Sequence, residues 1–201
     1  QATFQTLATH KAGHGLNTHI ELISNIYSSY PGADNAEKLR NFIIWAYQNH
    51  GTRYVLLGGD SDVLPWRGCY GAVGDELDNS IPTDFYFAAL DGNWNANGVL
   101  PYGEPVDDVD LFAEVSVGRI SASTTTEAAT QINKIIAYEN SSPPFSTLLL
   151  GEELDSSTYG GDSKDVVYQE MAGIPRSTLY DTPSYSWSST TLINTYLNSN
   201  N

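Results

Sequence analysis

The stretch Arg53-Tyr-Val-Leu-Leu-Gly-Gly-Asp60 decides the fold. Its apolar residues run without alternation into a Gly-Gly-Asp turn. A strand with one wet face alternates with period two, whereas an unbroken apolar run marks a strand covered on both faces, as in the parallel sheets of α/β proteins. Thr147-Leu-Leu-Leu-Gly151 repeats the pattern and also ends in acids, Glu152 and Glu153. Both runs are expected to be buried parallel strands whose carboxyl ends share the sheet edge where such folds place their sites. Asp60 and Asp62 are therefore candidates for that edge. An Asp after Gly-Gly equally serves as a turn residue that hydrogen-bonds its own loop.

The segments around these strands read as helices. Asp34 or Asn35 can cap one in which Glu37 sits in the first turn, Leu39, Phe42, Ile43 and Ala46 share a face, and His50-Gly51 closes the end. Residues 124–138 form a second amphipathic pattern with Ala128, Ile132, Ile135 and Ile136 inward, closed by Ser-Ser-Pro-Pro at 141–144. Residues 3–13, 162–172 and 189–197 are further predicted helices, the last with Leu192 and Leu197 inward. Residues 17–23 and 177–180 are predicted strands. This alternation specifies an α/β fold, a three-layer sandwich with a mainly parallel sheet, and 201 residues suit a single domain.

Between two strand-like runs, residues 85–90 and 113–120, lies an acidic loop. Asp91, Asn93 and Asn95 alternate, and Glu104, Asp107, Asp108 and Asp110 follow. Calcium takes six to eight oxygen ligands, and Asp-x-Asn-x-Asn with Gly92 and Gly98 supplies oxygens on a chain that bends sharply. The loop is not an EF-hand, because its sixth and twelfth places hold Ala96 and Tyr102. Charge carries the reading: residues 75–114 contain ten acids, and no Lys or Arg stands between Arg67 and Arg119. Asp91, Asn93, Asn95, Glu104, Asp108 and Asp110 are the expected calcium ligands, against the simpler reading of a solvated acidic turn.

A formal charge of −15 argues against nucleic acid and anionic membranes as partners, since both are bound through Lys and Arg. No run of eighteen apolar residues exists to span a bilayer. Cys69 is the only cysteine, so no intrachain disulfide forms. Low lysine content with a calcium loop points to a secreted, extracellular protein stabilised by metal.

Five segments together resemble the gingipain-like cysteine peptidases: the helix start Asp34-Asn-Ala-Glu-Lys-Leu-Arg-Asn-Phe-Ile43; Tyr54-Val-Leu-Leu-Gly-Gly-Asp60 with Val63-Leu-Pro65; Thr83-Asp-Phe-Tyr86; Leu90-Asp-Gly-Asn-Trp-Asn95; and Val117-Gly-Arg-Ile120. The resemblance implies a caspase-like α/β fold and protein or peptide substrates. It also implies that the family's Gly-His-Gly and nucleophilic Cys would follow Leu197, so that these residues look like the first half of a peptidase domain, inactive without the remaining half. By the same resemblance Glu152, or Glu153 if the alignment slips by one, orients the catalytic His, and Asp165 lies in a primary pocket for a basic residue. Asp162 and Lys164 beside it could instead form a surface ion pair.

Gly13-His14-Gly15 spells the family's His motif but lies near the amino terminus, before the first predicted strand. Cys69 follows Pro-Trp-Arg-Gly in a predicted loop, with no His near it in the chain. Neither is expected to be catalytic, since a reactive thiol needs a base within reach. The alternative function is a non-catalytic, calcium-stabilised binding module for peptides or glycans, with Trp66, Trp94 and Trp187 exposed.

Overall fold

The computed structural model describes residues 2–73, 75–141, 146–171 and 173–197. It divides into two units, Gln1–Asn140 and Ser141–Asn201.

The first unit contains helices α1 (Ala2–Gly13), α2 (Ile23–Ser29), α3 (Asn35–His50) and α4 (Thr125–Asn140), and strands β1 (Tyr54–Gly58), β2 (Arg67–Val73), β3 (Glu76–Thr83) and β4 (Ser116–Ile120). β1 and β4 pair in parallel, from Tyr54 opposite Ser116 to Gly58 opposite Ile120. β2 and β3 form an antiparallel hairpin whose register shifts between Cys69 and Gly71. α3 begins where the sequence predicts: Asp34 Oδ1 accepts the Glu37 backbone N–H at 2.9 Å, filling one donor that a helix start leaves open. Gly51 ends it in the left-handed region at φ 62°, a conformation that costs other residues more.

Two apolar clusters hold this unit together. Ile26, Leu39, Ile43, Leu57, Phe87 and Trp94 belong to the larger, and Leu7, Ile120, Ala128 and Ile132 to the smaller. Each large side chain fully buried contributes roughly 1.5–3 kcal/mol.

Three expectations change. Residues 17–23 are not a strand: α2 starts at Ile23, and Ile23, Ile26 and Tyr27 pack together at helical spacing. Residues 85–90 are not a strand either, but a 3₁₀ turn at Phe85–Phe87 followed by a loop buried at Ala88, Ala89 and Leu90. β1 is covered on one face only, with Val55 and Leu57 against the core while Tyr54 and Leu56 are 67% and 47% exposed.

The second unit contains β5 (Thr147–Gly151), β6 (Glu153–Asp155), β7 (Thr158–Tyr159), α5 (Gly160–Glu170), β8 (Arg176–Tyr180) and α6 (Ser189–Thr191), which continues as a π-type turn over Leu192–Leu197. β5 and β8 pair in parallel, from Thr147 opposite Arg176 to Gly151 opposite Tyr180, and β6 and β7 are antiparallel. α5 lies close on this pair because glycine leaves room. A Cβ on Gly161 would stand 2.9 Å from the Tyr180 ring, and one on Gly151 would strike the Gly161 backbone. Leu197 is exposed, contrary to its predicted inward place. Most of the Ser-Ser-Pro-Pro stretch, residues 142–144, lies outside the described residues. The architecture is mixed α/β, with two parallel and two antiparallel pairs among the described residues.

Candidate functional site

Three arginines organise the first unit. Arg119 on β4 makes a bidentate pair with Asp84, both bonds at 2.7 Å, and also donates to the carbonyls of Gly59, Leu64 and Pro65. Arg67 pairs bidentately with Asp34 at 2.8 Å and lies over the rings of Tyr86 and Tyr102, 4.6 and 3.9 Å from their centroids. Buried Arg40 on α3 donates to the carbonyls of Tyr86, Ala89 and Asp91 at 3.0, 2.9 and 3.1 Å. A planar guanidinium with five donors can join several distant chain segments at once. The pair with Arg67 holds the Asp34 carboxyl below its usual range. Burial pushes the Arg40 guanidinium down, opposed by Tyr86, Asp91 and Glu114.

The acidic loop is tied down at several points. Trp94 is buried, its ring edge-on to Phe85 and Tyr86, and its carbonyl accepts the Gly103 N–H at 2.8 Å. Glu104 and Asp107 form a capping box around the 3₁₀ turn Pro105–Asp107. Asp107 accepts the N–H groups of Asn97 and Glu104 at 3.3 and 3.0 Å, and Glu104 Oε2 accepts the Asn97 amide at 3.0 Å. Asn93 Oδ1 accepts the Asn95 N–H, and Asp110 Oδ1 the Phe112 N–H. Asp91 is exposed, and Asp108 turns the chain through the left-handed region at φ 50°. Asn97, Glu104 and Asp107 therefore meet, whereas Asn93 and Asp110 each face their own turn. Asn95 Oδ1 is buried with no hydrogen-bond partner among the described residues. Of the ten acids in 75–114, Asp84 alone has a Lys, Arg or His partner within 4.0 Å among the described residues.

In the second unit, Glu152 is the first residue past β5, and its side chain is exposed. Its carbonyl accepts the Gly160 N–H at 2.8 Å, fixing the start of α5. Glu153 is also exposed, and its N–H donates to Asp181 Oδ2 at 3.1 Å. Asp181 is an acid that sequence reasoning missed. It is buried just past β8, accepts the Trp187 N–H at 2.8 Å through its other oxygen, and has its pKa lowered by these two N–H groups. Its signal was its place directly after the strand Arg176–Tyr180, one residue nearer its strand than Asp60 is to β1. Asp165 sits on α5 beside β8, where its charge adds to burial in raising the Tyr180 phenol pKa. No Asp162–Lys164 ion pair forms among the described residues. Trp187 is half-buried, its indole N–H donating to the Gly151 carbonyl at 3.0 Å.

Cys69 lies on β2, not in a loop, and is buried, with burial pushing its thiol up to about 11. Such a thiol carries almost no thiolate at neutral pH. His14 follows the end of α1, edge-on to the His10 ring at a centroid separation of 4.7 Å.

The model of peptidase family C25 matches residues 1–199. The chain belongs to peptidase family C25, the gingipain family. No curated protein and no solved structure matches it. Membership of C25 implies a caspase-like fold, a cysteine peptidase domain and protein substrates. Among the described residues no helix is long and apolar enough to cross a membrane. The arginine clamps connect the five separated segments that resemble the family. Asp34, the carbonyls of Gly59, Leu64 and Pro65, Asp84, Asp91 and Arg119 come from all five, and Arg40, Arg67 and Arg119 join them.

Proposed function

We propose that this chain is the amino-terminal part of an extracellular, calcium-stabilised gingipain-like cysteine endopeptidase domain. The fold that goes with this reading is the three-layer, caspase-like sandwich with a mainly parallel sheet. Residues outside these 201 supply the catalytic His and the nucleophilic Cys. In the complete domain the imidazole takes the thiol proton, the thiolate attacks the scissile carbonyl, and the imidazolium returns the proton to the leaving amine. Glu152 holds that imidazole in orientation and favours its cationic form. Asp165 attracts a basic side chain of the substrate, giving cleavage after Arg or Lys.

The observation that carries this reading is the arrangement past β5, where the Glu152 backbone is fixed to α5 while its side chain stays exposed. The buried Cys69 thiol argues against a nucleophile within these residues. Of the three tryptophans on which the binding-module reading rested, Trp94 is buried and Trp187 half-buried, which leaves Trp66 exposed. In the full-length protein, Glu152→Gln is expected to lower turnover of an Arg-peptide substrate at least tenfold while Cys69→Ala leaves it unchanged. Full activity in Glu152→Gln with loss in Glu153→Gln moves the role by one residue. Loss of activity in a correctly folded Cys69→Ala protein refutes the assignment.

For calcium, the donors are all oxygen, as a hard cation requires. Asp91, Asn93, Asn95, Glu104 and Asp110 would hold it, with Asp108 or the Asn97 carbonyl completing the shell, and the orphaned Asn95 oxygen is the observation that fits. Bound calcium would neutralise carboxylates that have no basic partner. At a hundred times its dissociation constant it stabilises the fold by about 2.7 kcal/mol. Calcium is expected to raise Tm and a chelator to lower it, and Asp91→Ala to abolish both responses while Asp75→Ala keeps them. A melting curve indifferent to calcium returns the loop to an acidic turn.

A further inference from the structure

α1 and α4 pack along one seam. On α1 the contact side carries Phe4 and Leu7, and on α4 Ala128, Ile132, Ile135 and Ile136. Helical spacing continues both stripes to polar residues. Leu7 is followed by His10 and His14, and Ile135 and Ile136 by Glu139, so the apolar seam ends where these three side chains meet. One ligand atom from each of His10, His14 and Glu139 lies within 4.8 Å of the other two, the only such group of three His, Cys, Asp or Glu among the described residues. His10 Nε2 stands 2.9 Å from Glu139 Oε2, and Lys11 Nζ bonds the other carboxylate oxygen.

We propose that His10, His14 and Glu139 form a binding site for a transition-metal dication of zinc type, with the fourth position open to water. This rests on unit 1 alone and is independent of the peptidase assignment. Two imidazoles and one carboxylate make a borderline donor set that suits zinc. Calcium and magnesium prefer oxygen alone. Contacts of His10 and Lys11 with Glu139 account for those three side chains but give His14 no role. Its ring nitrogens have no hydrogen-bond partner among the described residues, and its ring already lies against His10. Zinc uses all three side chains. Tetrahedral zinc with bonds of about 2 Å needs its donors about 3.3 Å apart. The remaining closure falls to partly exposed side chains, while the seam fixes the helices that carry them.

The test is calorimetric titration of the full chain with zinc chloride in saturating calcium, which keeps zinc from reporting on the acidic loop. One zinc per chain is expected. His14→Ala, at an exposed position, is expected to keep the wild-type circular dichroism and to weaken binding at least tenfold, and Glu139→Gln is expected to weaken it as much. His19→Ala, at an exposed histidine paired with Glu21, is expected to leave the isotherm unchanged. An isotherm identical in wild type and His14→Ala, loss of binding in His19→Ala, or no zinc uptake at all overturns the site.

Discussion

Tyr54-Val-Leu-Leu-Gly58 and Thr147-Leu-Leu-Leu-Gly151 are nearly the same strand, and each pairs in parallel with a later one, yet the acids beyond them differ in use. After β1, Asp60 Oδ1 accepts the N–H of Ser61 at 2.7 Å, its carbonyl accepts from Val63 and Leu64, and Asp62 accepts the Ser123 hydroxyl at 2.9 Å. Arg119 then ties the Gly59 and Leu64 carbonyls to Asp84. After β5, the glutamates keep exposed side chains, and Asp181, from the partner strand's end, holds the turn. The short carboxylate closes a loop on itself, whereas the longer one reaches away from its backbone. The first strand end is closed by hydrogen bonds of its own acids, and the second leaves its two glutamate side chains exposed.

The largest expected effect comes from cutting the first strand end. Arg119→Met removes a bidentate partner from Asp84 and a donor from three carbonyls. Breaking a largely buried pair this way costs about 3–5 kcal/mol. Urea denaturation of the variant should record that loss, and a change below about 1 kcal/mol would mean that the clamp is ornamental.

A smaller effect is expected at Asp34, and it carries a pH signature. Asp34→Asn keeps a good cap for α3 but removes the charge facing Arg67. Because Asp34 is 45% exposed, the loss at pH 7 is expected to be about 1–2 kcal/mol. Its folded pKa lies below the ordinary value of about 3.9. The pair's contribution is thus present above that value and fades as pH falls through the lower, folded one. Wild type and variant should therefore converge as the pH is taken below the ordinary carboxylate range and through the folded value, and a stability gap that stays constant through that acid titration refutes the ion pair as its source.

Local pattern made much of this legible. The two apolar runs located the parallel strands, periodicity located α3 and α4, and Asp34 marked a helix start. What failed was non-local. Residues 85–90 can be buried without being a strand because Arg40, 46 and 49 residues away, donates to the carbonyls of Tyr86 and Ala89, and no pattern within the stretch records that. The hairpin of β2 and β3 was invisible for another reason. β3 is exposed from Glu76 to Pro82, so it has no apolar face to alternate. Glu152 and Asp165 came from family resemblance, and Asp181 was missed because its partners lie 28 and 6 residues away.

The finest distinction separates the acids at the second strand end. Asp181 accepts two backbone N–H groups in a buried setting, so Asp181→Ala leaves both without their acceptor and should lower the urea midpoint of unfolding. Glu152→Gln preserves the size and polarity of an exposed side chain, so its stability should stay within about 0.5 kcal/mol of wild type. This near-silence is informative because the same variant is expected to lose turnover in the full-length protein. A residue that matters to catalysis and not to stability fits an orienter held ready for a partner. If Glu152→Gln destabilises the chain as much as Asp181→Ala does, its carboxylate is closing a loop as Asp60 does. The two strand ends would then be the same kind of structure.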